Sequence, residues 1–158
     1  MTQEERIQAF ELLGKSLDDQ PANEFQSLAE NVRQENPWFT EANVRMAVNG
    51  VRKLLQSDGL RKWVANYDLA MEPKVIAVVM AGNIPMVGFH DLLCVLICGH
   101  SILIKCSSKD TELMKFITTR LVEIELFPGP VIAEDQLGHE WFPDNLSPAP
   151  SLGSCRSR

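Results

Sequence analysis

Pro73-Lys-Val-Ile-Ala-Val-Val-Met-Ala-Gly-Asn-Ile-Pro85 leads into a largely apolar stretch, Met86 to Cys98, and then into Gly99-His-Ser-Ile-Leu-Ile-Lys-Cys-Ser-Ser108. Val75 to Met80 is short, apolar and rich in β-branched residues, with Pro73 and Gly82 at its borders. That pattern predicts a strand buried on both faces. Ala81, Gly82, Asn83 and Pro85 break it. Met86 to Cys98 is apolar on nearly every side, as a buried crossover helix would be, and Gly99 stands where a helix-ending glycine belongs. Ser101 to Lys105 reads as a second strand. Strand, loop, helix and strand in so short a span make a βαβ unit, whose strands run parallel.

Outward from this unit, the N-terminal half reads as helices. Thr2 and Glu5 form a capping-box pair, and Ile7, Phe10, Leu13 and Leu17 recur at helical spacing. Asn23 to Arg33 carries Phe25, Leu28, Ala29 and Val32 on one stripe and ends at Asn36-Pro37. Thr40 caps the next helix, whose face is Val44, Ala47, Val48, Val51, Leu54 and Leu55, with Asp58-Gly59 as its stop. Leu60 to Tyr67 predicts a short helix with Trp63, Val64 and Tyr67 apolar. Beyond the βαβ unit, Leu113, Phe116, Ile117, Leu121 and Ile124 mark a helix opened by Ser108 or Asp110.

The chain changes character near Leu126. Residues 126–158 hold five of the nine prolines and lose periodicity, apart from a short strand pattern at Val131 to Ala133. The three parts are therefore a helical region at 1–72, a partial βαβα unit at 73–125 and an irregular tail at 126–158. The tail has the composition of a disordered segment or of an aberrant reading frame.

Composition bounds the function. The 158 residues are 45% apolar and 23% charged, which suits one soluble domain with a core. A net charge of -6 argues against a chain-wide grip on nucleic acid or on an anionic membrane. No apolar run reaches membrane-spanning length, and the N-terminus is too polar and acidic for a secretory signal. Four cysteines without framework spacing fit a reducing compartment, so a cytoplasmic location is expected.

The ordered motifs resemble the aldehyde dehydrogenase superfamily, and within it the acyl-CoA reductases of the LuxC type. They are Gly82-Asn83-Ile84-Pro85 after the first strand, Gly99-His100 before the second, and Lys105-Cys106-Ser107-Ser108 at its end. Met80-Ala81-Gly82-Asn83-Ile84-Pro85 and the upstream Asn36-Pro37-Trp38-Phe39-Thr40 have the form of that branch. The resemblance covers roughly residues 1 to 125. It implies an α/β fold in which N-terminal helices pack on the first βαβ part of an incomplete Rossmann-like parallel sheet. It also implies the N-terminal portion of an NADPH-dependent enzyme that reduces a fatty acyl-CoA to a fatty aldehyde.

By the same resemblance, Asn83 would hold the oxyanion of the reacting thioester, and Met80, Ala81, Gly82, Lys105, Ser107 and Ser108 would contact the cofactor. Ser108 stands where many superfamily members have a ribose-binding glutamate. Its neutral side chain removes repulsion toward a 2′-phosphate and favours NADP(H). Taken singly, Asn83 also fits a turn residue, Lys105 an exposed strand end and Ser108 a helix cap. No Gly-x-Gly-x-x-Gly or Walker loop is present.

His90, Cys94 and Cys98 recur at helical spacing, but buried cysteines commonly pack as small hydrophobes, and no metal site is expected. The family's nucleophilic cysteine lies in a later domain, which Cys94, Cys98, Cys106 and Cys155 do not match. The chain alone is therefore expected to lack turnover. The rival expectation is a non-catalytic piece that binds nucleotide, self-associates, or pairs with the rest of an enzyme through an open sheet edge.

Overall fold

The computed structural model describes residues 2–18, 21–67, 70–124 and 131–133. Its elements, in chain order, are α1 (Gln3–Ser16), α2 (Ala22–Glu35), α3 (Glu41–Leu54), α4 (Ser57–Val64), β1 (Val75–Val79), α5 (Phe89–Ile97), β2 (Ser101–Lys105), α6 (Thr111–Glu123) and β3 (Val131–Ala133). The architecture is mixed α/β, mostly helical, with a small parallel sheet. The expected irregular tail lies outside the described residues, apart from 131–133, where the short strand is found.

Capping chemistry starts the helices where the sequence supplies it. Thr2 Oγ1 accepts from the Glu5 amide at 3.2 Å, and the Glu5 carboxylate accepts from the Thr2 amide at 2.7 Å. These two bonds satisfy amides that a helix start leaves without partners. Thr40 Oγ1 does the same for the Asn43 amide at 3.3 Å. Helix α5 ends through Gly99, at φ 98°, a conformation that costs glycine little. Gly99 N–H donates to the Leu96 carbonyl and His100 N–H to the Val95 carbonyl. Together these bonds form a Schellman ending.

Helix α1 is the centre of the helical layer, touching α3, α4, α5 and α6. Its Ile7, Ala9, Phe10 and Leu13 are buried in one core shared with Phe89, Leu92, Leu93 and Leu96 of α5 and with Ile102 and Ile104 of β2. Arg6 reaches from α1 to the Leu96 carbonyl at 2.8 Å, where a cation complements the carboxyl end of α5.

The sheet order is β1-β2-β3, all parallel, with Val75 opposite Ser101 and Val79 opposite Lys105. His100 Nδ1 accepts from the Lys74 amide, and the Ser101 amide donates to the Lys74 carbonyl, which fixes the register where both strands begin. In a parallel pair, residues in register share a face. Ile76, Val78, Ile102 and Ile104 therefore face the core, and the two isoleucines of β2 are fully buried.

Several expectations change in detail. β1 is not buried on both faces: Val75 is 69% and Val79 78% exposed, and Ala77 is exposed between them. β1 is an edge strand, and its outer face is uncovered among the described residues. The apolar crossover is helical only from Phe89, because Met86 sits in the left-handed region at φ 59° within a turn. Asp58-Gly59 does not follow the third helix but lies inside α4, which ends at Val64 and leaves Tyr67 exposed. Leu54 is exposed and Leu55 takes the buried position.

Candidate functional site

The Gly82–Pro85 loop leaves the carboxyl end of β1, and the Cys106–Lys109 loop leaves the carboxyl end of β2. Because the strands run in one direction, both loops emerge on the same rim. In open α/β sheets this rim is where ligands bind. The Met80 amide donates to the Lys105 carbonyl at 2.9 Å, which extends the pairing one residue beyond the strands.

Packing between the two loops is close. A Cβ on Gly82 would stand 2.2 Å from Ser107 Oγ and 2.4 Å from Ser107 Cβ. Only glycine leaves that space, and Ser107 fills it. Ser107 Oγ also accepts from the Lys109 amide at 3.3 Å. The Ser107 carbonyl accepts from the Asp110 amide and from Thr111 Oγ1.

Asp110 is the side chain that pins this rim. It is 2% exposed, and its Oδ2 accepts from the Met86 amide at 2.8 Å. Its Oδ1 is buried without a hydrogen-bond partner. Burial pushes its carboxyl up to about 7, opposed by the Met86 amide. Asp110 occupies the cap position of α6, as one expectation had it, but its side chain makes no capping bond. It holds Met86, a non-glycine residue in the left-handed region, which is ordinarily disfavoured.

A groove of about 420 Å³ runs beside the rim, lined by residues that include Trp38, Asn43, Met46, Asn83, Ile84 and Pro85. Trp38 is 84% exposed, and Met46 and Ile84 are also exposed. The Trp38 loop has a fixed shape. Buried Asn36 accepts from the Trp38 amide through Oδ1 at 3.1 Å, and Asn43 Nδ2 donates to the Trp38 carbonyl at 3.0 Å. The groove thus joins Asn36–Thr40 to Gly82–Pro85, segments more than forty residues apart in sequence.

The expected site residues divide into three groups. Asn83 is exposed in the groove wall. Lys105 and Ser108 are exposed at the carboxyl end of β2 and just beyond it, and Ala81 is exposed beyond β1. Gly82 and Ser107 pack on each other, and the Met80 side chain is buried against Gly88, so its contribution to a ligand would come from the backbone. Sequence reading alone did not bring Trp38 and Met46 to Asn83, nor Asp110 to Met86. Both are long-range contacts that periodicity does not encode.

The rim carries exposed hydrogen-bond donors. An ammonium and a hydroxyl are exposed there, while the nearby carboxylate, Asp110, is buried and bonded to the Met86 amide. Among the described residues, no group of three or more His, Cys, Asp or Glu side chains is arranged to hold a metal ion. Also among these residues, no helix is long and apolar enough to cross a membrane. Compared with known protein families, with curated proteins and with solved structures, the chain finds no match.

Proposed function

We propose that the chain corresponds to the N-terminal portion of an NADPH-dependent acyl-CoA reductase of the LuxC type. The reading rests on residues and geometry. The observation that carries it is the groove in which Trp38 and Phe39 meet Asn83, Ile84 and Pro85. These are the two stretches whose sequence has the form of that family.

Asn83 offers a side-chain amide at the groove wall and would donate a hydrogen bond to the thioester oxygen as negative charge develops there. Trp38, Met46 and Ile84 would shelter the apolar part of the acyl group. Lys105 and Ser108 would hold the phosphorylated ribose of NADPH, with Ser107 and the backbone at Met80–Gly82 shaping the rim. The bound cofactor would supply hydride. Asp110 and Ser107 keep the two loops at fixed separation, so Asn83 and Lys105 are presented without reorganisation. None of Cys94, Cys98 and Cys106 lies in the groove lining. The chain alone therefore binds without completing the reduction.

Titration with a long-chain acyl-CoA tests this through Trp38 fluorescence. A saturable change is expected that disappears in Trp38→Phe and weakens in Met46→Lys, with no NADPH oxidation. Clear turnover by the chain alone would overturn the claim that it lacks the nucleophile. A fluorescence change unaltered by Trp38→Phe would remove the groove from the account.

A second reading draws on the outer face of β1, which is uncovered among the described residues. Val75, Ala77 and Val79 present an apolar strip on an edge strand, a surface suited to association. In this reading the chain is an interaction or nucleotide-binding module without chemistry of its own. Size-exclusion chromatography separates the two: concentration-dependent association with no acyl-CoA response favours the module.

A further inference from the structure

Between α4 and the carboxyl-terminal half of α5, beside the start of α1, lies a second cavity that opens to solvent. It measures about 230 Å³ and is lined by Gln3, Trp63, Val64, Tyr67, Cys94, Ile97 and Cys98. Gln3 Nε2 is engaged by the Val64 and Tyr67 carbonyls at 3.4 and 3.3 Å, so the remaining wall is mainly aromatic, aliphatic and sulfur. One turn before Cys94, His90 packs its ring against Trp63, with centroids 5.9 Å apart. Trp63 in turn meets Tyr67 edge-on. His90 Nδ1 stands 3.5 Å from Cys94 Sγ. A thiol, a ring nitrogen beside it and an apolar cavity thus share one place, and the proposed reductase chemistry uses none of them.

We propose that this cavity captures small conjugated carbonyl compounds, with Cys94 as the sulfur nucleophile and His90 as its proton acceptor. Sulfur is a soft nucleophile and adds readily to the β-carbon of an enal. The S–C bond forms at that carbon while the C=C electron pair shifts toward the carbonyl oxygen. The thiol proton passes to His90 Nδ1 and then to the α-carbon. Nothing leaves, and no oxidant or reductant is needed.

A six-carbon enal is short enough for its tail to lie against the apolar walls while its β-carbon meets the Cys94 thiol.

The environment also separates this thiol from an oxidant sensor. Burial raises the Cys94 thiol above its usual range, with Asp91 and Cys98 adding to the effect. A neutral thiol reacts slowly with dissolved oxidants, because the thiolate is the reactive form. Reaction then depends on an electrophile seated in the cavity and on removal of the proton by His90. The dependence on an apolar body is what makes the site selective.

Incubation of the whole chain with trans-2-hexenal, borohydride fixation and peptide mass mapping tests this. Adduct is expected on Cys94, with a rate that saturates in hexenal and is suppressed by 1-hexanol, an unreactive occupant of similar size. Cys94→Ser removes the adduct and Cys106→Ser, outside the cavity lining, retains it. His90→Gln slows the reaction by about 100-fold, the low end of general-base assistance. Labelling spread over Cys98, Cys106 and Cys155 without saturation overturns the proposal, as does a His90→Gln variant that reacts at the parent rate. The hexanol protection uses the unmodified protein, so it decides the matter even if a variant fails to fold. Acyl-CoA binding at the other groove is measured through Trp38, so failure of either account is seen separately.

Discussion

Replacing Asp110 by Asn should stabilise the protein at neutral pH and do much less in acid. The carboxyl is buried, has one hydrogen bond from the Met86 amide, and leaves Oδ1 without a partner. Its folded-state value of about 7 lies above the ordinary 3.8. Well below pH 3.8 both the folded and the unfolded chain carry the neutral acid, and the folded state bears no penalty. As pH rises from 4 to 7, the unfolded chain releases the proton while the folded chain retains it. Stability therefore falls through this window and levels off above it.

The difference amounts to about 4 kcal/mol, at 1.36 kcal/mol for each pH unit between the two titrations. This is a large share of the 5–15 kcal/mol typical of a domain. Asparagine reproduces the neutral acid: an acceptor for the Met86 amide and a donor at the orphan position. Urea unfolding of the parent and Asp110→Asn at pH 4.5 and pH 8 should show the variant ahead by only about 1 kcal/mol in acid and by up to about 4 kcal/mol at pH 8. Taking the difference between the two proteins cancels the surface acids. Glu4 and Glu5, for example, are lowered by Arg61 and by the Thr2 amide respectively, and so act in the opposite sense. Asp110→Ala, which strands the Met86 amide, should be less stable than Asp110→Asn by about 1–3 kcal/mol at either pH. A parent-to-variant difference that stays constant from pH 4.5 to pH 8 would refute the buried-acid reasoning.

Two further sets of substitutions probe the rim and the outer face of β1. Gly82→Ala forces a methyl against Ser107, so it should destabilise by about 1–3 kcal/mol, with partial recovery in the Gly82→Ala, Ser107→Gly double variant in thermal unfolding. Val75→Lys with Val79→Lys places charge on the exposed strip of β1. Each valine covered in an association is worth about 1.5–3 kcal/mol, so under the interaction-module reading any self-association seen in sedimentation of the parent should weaken in the double variant, with the unfolding midpoint nearly unchanged.

The local elements of this fold are written plainly in the chain. Val75–Val79 and Ser101–Lys105 are strands because short β-branched runs sit between breakers. Thr2, Thr40 and Gly99 mark helix ends because their chemistry satisfies groups that any helix end leaves open. The bare face of β1 was not legible, because a short apolar run has the same pattern whether one face is covered or both. The position of Asp110 was not legible for a different reason. An aspartate before a helix ordinarily caps it, and only the tertiary fold brings the Met86 amide to compete for the side chain. The late start of α5 follows from the same contact, since Met86 is held in a left-handed turn that an apolar sequence pattern does not announce. Within the candidate site, Asn83 and Lys105 could be named from motif order. Trp38 and Met46 joined Asn83 only when the α3 region folded against the Gly82–Pro85 loop.

Calorimetric titration of the chain with NADPH and with NADH tests the cofactor claim most directly. The account predicts saturable NADPH binding, weaker NADH binding, loss of NADPH affinity in Lys105→Ala, and a reversed preference in Ser108→Glu, where a carboxylate would repel the 2′-phosphate and accept from a 2′-hydroxyl. Equal heats for the two cofactors, or binding untouched by both substitutions, would contradict it.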